Sequence, residues 1–100
     1  MILYNITVIL EETIETEWRE WVTNAFIPNA LSSNLLVSHR LLKVIDSPNE
    51  GVTYCMQFIA DHLESYNQFM NNHAAALLST HTQQFQNRAV FFSTVMEFIN

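Results

Sequence analysis

Scarcity shapes this chain: among its 100 residues stand one cysteine, one glycine, two prolines and four strong bases. With Cys55 alone no internal disulfide can form, and a reducing, cytoplasmic compartment is the expectation. A single glycine, Gly51, excludes the glycine-rich loops that cradle phosphate. Arg19, Arg40, Lys43 and Arg88 are the only strong bases, in a chain of formal charge -6. Backbone phosphates and anionic lipid surfaces attract clustered Lys and Arg, so neither nucleic acid nor membrane is an expected partner. No apolar run approaches the ~20 residues that a spanning helix needs. The segment Met1 to Leu10 also lacks the basic leader and cleavage site of a secretory signal. The length is that of one domain, residues 1–100.

Charged residues make up 14% of the chain and apolar ones 49%, against a usual charged share of ~25%. So small a domain leaves much of its surface in water. With so few charges to cover it, some apolar area is expected to meet a second surface.

Ile2 to Leu10 is rich in β-branched and aromatic types and reads as a strand. One face carries Tyr4, Ile6, Val8 and Leu10, the other Leu3, Asn5, Thr7 and Ile9, so both are expected to be covered. Thr13 is placed to cap a helix, with acidic residues through Glu15 suited to its positive end. Ile14, Trp18, Trp21, Val22 and Ala25 form its apolar stripe, and Pro28 is expected to end or bend it. Leu35 to Ile45 reads as a second strand, Asp46 to Gly51 as a turn, and Val52 to Ala60 as the returning strand. A second helix, capped by Asp61 or Ser65, carries Tyr66, Phe69, Met70, His73 and Leu77 on one stripe. Gln86 to Arg88 turn the chain into a last strand, Val90 to Ile99.

The order β-α-β-β-α-β predicts an α+β, ferredoxin-like fold: a four-stranded antiparallel sheet with two helices on one face. The opposite face then has nothing in the chain to cover it. A second copy, sheet against sheet, is the simplest cover, and two-fold dimers are the commonest oligomers.

Asn5, Thr7, Thr53, Cys55 and Gln57 share a parity that gives this face a polar component. His39 or Arg40 joins it from the second strand and Ser93 or Thr94 from the fourth, depending on registers that the sequence leaves open. Such groups suit hydrogen bonds across an interface, or a small-molecule pocket lined by Asn5, Thr7, His39, Arg40, Gln57 and Thr94. His39 is the candidate base, because an ordinary imidazole titrates near neutrality. His62, His73 and His81 are spread along one helix without an HxxxH pair, which excludes a zinc site, and no metal or cofactor is implied. His73, on the apolar stripe, reads as a core residue. Cys55, mid-strand with no basic neighbour, reads as an inert buried thiol.

The opening Met1-Ile-Leu-Tyr-Asn-Ile-Thr-Val8, Glu17-Trp18, Pro28, Arg40-Leu-Leu-Lys-Val44 and Thr53-Tyr-Cys-Met-Gln-Phe58 together resemble a bacterial domain-of-unknown-function family of this length. The resemblance spans nearly the whole chain and implies the dimeric α+β barrel fold, though Ser32 and Ser33 stand where relatives would carry glycine. The wider superfamily contains cofactor-free monooxygenases, isomerases and haem-dependent enzymes, but fold alone transfers no function. Three readings follow. The first is a homodimeric binding or interaction module. The second is a cofactor-independent oxygenase or isomerase with His39 as base and Asn5 or Gln57 steadying an oxyanion. The third is a haem protein using His39 or a helix histidine.

Overall fold

A computed structural model describes residues 1–48 and 50–100. Strand β1 (Ile2–Leu10) leads through a 3-10 turn (Glu12–Ile14) into helix α1. Helix α1 is built of an α segment Glu15–Trp21, a π segment Val22–Phe26 and a second α segment Ile27–Leu31. Strands β2 (Ser38–Lys43) and β3 (Val52–Ala60) follow. Helix α2 repeats the pattern of α1, with Leu63–Phe69, a π segment Met70–Ala74 and Ala75–Gln84, before strand β4 (Ala89–Glu97). The antiparallel sheet has the order β2-β3-β1-β4, the ferredoxin-like arrangement.

Registers settle both open parities. Tyr4 pairs with Phe58 and Val95, and Phe58 with His39; one residue along, Asn5 pairs with Gln57 and Thr94, and Gln57 with Arg40. His39, Leu41, Lys43, Phe91 and Ser93 therefore share the parity of the helix-covered face, and Arg40 and Thr94 that of the bare face. Tyr4, Ile6, Val8, Tyr54, Met56 and Phe58 are buried under Trp18, Val22, Phe26, Phe69 and Phe85 from the helices.

Several expectations need correction. Pro28 does not end α1. A proline cannot donate to the helical ladder, and the π segment just before it absorbs that loss within a rod continuing to Leu31. A π turn holds an extra residue, so the buried stripe shifts from Ala25, which is exposed, to Phe26. The same shift in α2 exposes His73 and buries Ala74 in its place, while Leu77 is buried as expected and His81 is buried one turn further on. Thr13 caps nothing: the 3-10 turn starts from Glu11, and neither it nor the α segment after it has a side-chain cap. Nor does Asp61 or Ser65 cap α2, whose N-cap position is His62. Strand β2 is shorter than Leu35 to Ile45, and β4 ends at Glu97.

In the turn expected over Asp46 to Gly51, Asn49 lies outside the described residues. Gly51 adopts φ 83°, and any Cβ there would meet the Leu10 carbonyl, so the chain's one glycine stands where another residue would clash. Asn34 and Asn87 take the other positive-φ positions, after α1 and α2. Asparagine tolerates this geometry, which is how the loop after α1 dispenses with glycine.

Candidate functional site

The bare face is where the chain's polar and apolar character meet. One straight row crosses all four strands, Arg40–Gln57–Asn5–Thr94. A second row, Leu42–Cys55–Thr7–Phe92, runs beside it. Within them Asn5 Nδ2 donates to Thr7 Oγ1 at 3.0 Å and Gln57 Nε2 donates to Asn5 Oδ1 at 3.4 Å. Thr7 Oγ1 lies 3.7 Å from Cys55 Sγ. Asn5 is thus both donor and acceptor and is buried by its neighbours. Around this seam Leu42, Val90, Phe92 and Met96 are exposed, and Arg40 is the one charged residue among the described strand residues of this face.

Of the residues expected to line a pocket, Asn5, Thr7, Arg40, Gln57 and Thr94 share this face. His39 does not. It stands one residue from Arg40, so the period-two pleat turns it to the other face, beside α1. An imidazole there cannot act together with Asn5 and Gln57 at one reacting atom.

The helix-covered face holds two polar clusters that the sequence did not single out. His81 is buried, and its Nε2 accepts a hydrogen bond of 2.9 Å from Trp18 Nε1. Trp21, Phe26, Phe85 and Phe91 pack their rings around it at centroid distances of 5.2–6.0 Å. Burial in this aromatic box pushes its pKa down to about 4, so near neutral pH it is an uncharged acceptor. Its Nε2 is already engaged by Trp18.

At the β2 end of α1, the Glu15 carboxylate accepts hydrogen bonds from Lys43 Nζ at 2.7 Å and Tyr54 Oη at 2.5 Å. The Lys43 bond leads in holding Glu15 below the usual carboxylate range. Burial first, then the Glu15 bond and its charge, push Tyr54 up to about 12. The Tyr4 hydroxyl is buried with no well-formed hydrogen bond among the described residues, and burial first, then nearby Tyr66, raises its pKa, with Ser93 acting the other way. Nothing in a β-strand's alternation could have flagged it. His39, His62 and His73 are exposed. No group of three or more His, Cys, Asp or Glu stands together as metal ligands among the described residues, and none of their helices is long and apolar enough to cross a membrane.

Two surface hollows flank the sheet. One, of about 460 Å³, lies by the strand ends and is lined by Glu11, Glu12 and Arg88 among others, with Arg88 Nε 3.2 Å from Glu11 Oε2. The other, of about 420 Å³, lies between α1 and β2 and is lined by Thr23, Ile27, Pro28, Leu31, His39, Arg40 and Leu41.

A central antiparallel sheet with paired helices on one face and a polar seam on the other places the chain among ferredoxin-like α+β proteins. Over residues 1–99 it matches a family model described as a domain of unknown function, DUF4286, and it belongs to that family. No curated protein matches it in sequence. Among solved structures it is similar to HapK from Hahella chejuensis, with 12% identity and a TM-score of 0.72, covering 100% of this chain and 94% of that one. SnoaB, a cofactor-independent oxygenase from Streptomyces nogalater, is similar at 11% identity and a TM-score of 0.70, covering 99% and 94% of the two chains. A dimeric ferredoxin-like protein from an uncultured marine organism has 16% identity and a TM-score of 0.70, covering 100% and 96%. These likenesses show the fold; the family has no characterised function.

Proposed function

We propose that this protein is a homodimeric interaction module whose two sheets close on each other through their bare faces. The observation that carries the reading is that face itself. Leu42, Val90, Phe92 and Met96 are exposed on it, with Arg40 the one charged residue among its described strand residues. Apolar area of this extent is stabilised by burial at ~25 cal/mol per Å², and a self-complementary patch is what a two-fold interface requires. The seam Gln57–Asn5–Thr7 keeps its polar groups hydrogen-bonded without help from the partner, so closure leaves these groups satisfied. The description of one structural neighbour as dimeric supports the same assembly. A free, half-buried Cys55 agrees with a cytoplasmic location.

A second reading places a small molecule between the sheets, held by Asn5, Thr7, Arg40, Gln57 and Thr94. The amide and hydroxyl groups of the cross-strand row favour it, as does the neighbour described as a cofactor-independent oxygenase. In that reading Arg40, and not His39, supplies the charge. Native mass spectrometry separates the two. A dimer of bare chains supports the first, a dimer carrying a stoichiometric small molecule supports the second, and a monomer at micromolar concentration overturns both.

A further inference from the structure

We propose that the hollow between α1 and the edge strand β2 binds a small organic anion: one carboxylate on a compact aromatic or branched apolar body. At about 420 Å³ it falls within the range of small-molecule pockets. Its walls are of two kinds. Ile27, Pro28, Leu31 and Leu41 supply apolar surface, while His39 and Arg40 supply nitrogen donors.

The charge balance of this hollow runs against that of the chain. Acids outnumber strong bases by ten to four overall, yet no carboxylate lines it. The hollow at the strand ends shows the opposite case, for there Arg88 is held by Glu11 and Glu12 adds further negative charge. Lys43 is held by Glu15, and Arg19 leans toward Glu15 and Tyr54. Arg40 has no hydrogen-bond or ion-pair partner among the described residues, and no carboxylate or phenol influences it as Glu15 and Tyr54 do Arg19. Its Cα belongs to the bare face, but β2 is an edge strand with nothing beyond it, so Arg40 also borders the hollow. A planar guanidinium is the natural fork for a carboxylate.

The wall facing Arg40 is unusual in its backbone. Thr23 belongs to the π segment Val22–Phe26, and Ile27 and Pro28 follow it directly. Single π turns within α-helices recur at functional sites because they displace one stretch of helix surface from its regular path. Here the displaced stretch forms the apolar wall. The apolar wall from α1 lies away from the sheet-to-sheet interface, while Arg40 borders both the hollow and the bare face, so the proposal rests on the hollow and not on dimerisation.

Phenylacetate is a suitable probe, with phenylacetamide as its uncharged match, followed by amide NMR shifts on the intact protein. Saturable shifts gathered at Thr23, Ile27, Leu31 and residues 39–41 are expected. Binding of phenylacetamide should be weaker by roughly tenfold, the worth of a charge-assisted hydrogen bond. Arg40→Gln should weaken phenylacetate by a similar factor. Thr23→Phe should fill the hollow and abolish saturation while leaving the native mass of the assembly unchanged. Equal binding of acid and amide, no saturable shift at millimolar phenylacetate, or shifts confined to Asn5, Thr7 and Gln57 would each overturn the proposal. The last outcome would move the ligand to the space between the sheets.

Discussion

The two faces of one sheet solve different problems with nearly the same residue types. On β1, Tyr4, Ile6 and Val8 disappear beneath two helices, whereas Leu3, Thr7 and Ile9 on the opposite parity are only half-buried by their strand neighbours. The covered face contains polar groups that are locked individually, such as His81 to Trp18 and Tyr54 to Glu15. The bare face carries its polar groups as a hydrogen-bonded band, with exposed aliphatic and aromatic side chains around it. A core stabilises the fold of a chain; a patch of this second kind remains available to stabilise an assembly.

The sharpest way to break the contrast is to remove one large side chain from each face. Trp18 is fully buried, with its ring 4.9 Å from that of Tyr54, and it donates to His81. Trp18→Ala should cost ~3–5 kcal/mol, from the lost packing and the orphaned imidazole together. Urea denaturation reads this directly, and a loss under about 1 kcal/mol would mean that the interior is not packed as described. Phe92→Asp, on the bare face, should leave the far-UV spectrum intact but convert dimer to monomer, weakening association by about a hundredfold or more through a buried unpaired charge. Light scattering at several concentrations decides it. An unchanged mass would mean that the bare face is not the interface.

A subtler comparison is in pH. His81 is neutral in the fold with a pKa of about 4, against about 6.5 when unfolded. Between those values the unfolded chain binds the proton and the folded chain does not, so stability falls as pH drops from 6.5 toward 4. Glu15 also has a depressed pKa, but its contribution is lost only as pH falls below its unfolded value of 4.5. Denaturation midpoints at pH 7 and pH 5 should therefore separate His81 from Glu15. His81→Gln should flatten the drop between these two pH values; a drop as steep in the variant would assign it elsewhere.

The covered face was largely legible in the residues, and the reasons are local. β1 and β3 alternate cleanly, and Gly51 marks the turn before β3. The helices were harder. A π turn adds one residue and rotates every later position, so a stripe followed at 3.6 residues per turn passes through Ala25 and His73 when the buried side chains are Phe26 and Ala74. His81 stands four residues after Leu77 on the expected stripe, but helical spacing could not show that Trp18 reaches it across the core. Strand β2 was ambiguous because Leu41 and Leu42 occupy both parities, and only pairing with β3 decides which faces the helices. The polar seam was visible as a parity, but its hydrogen bonds depend on registers that no single strand contains.

The smallest effect belongs to the place where the two regions meet. Glu15 joins α1 to β2 through Lys43 and to β3 through Tyr54. Lys43 has half its side chain in water, so that ion pair is screened and contributes little. The Tyr54 bond is sheltered beneath α1 and is the larger part. Glu15→Gln should therefore cost about 1 kcal/mol or less, and most of that cost should persist in 1 M salt. Lys43→Met should cost less still, and its effect should vanish with salt. If the Glu15→Gln deficit instead disappears on adding salt, the ion pair with Lys43 outweighs the Tyr54 bond. The junction of α1 with the sheet would then be governed by solvent-exposed charge, as the outer surface is, and not by the buried contacts beneath the helices.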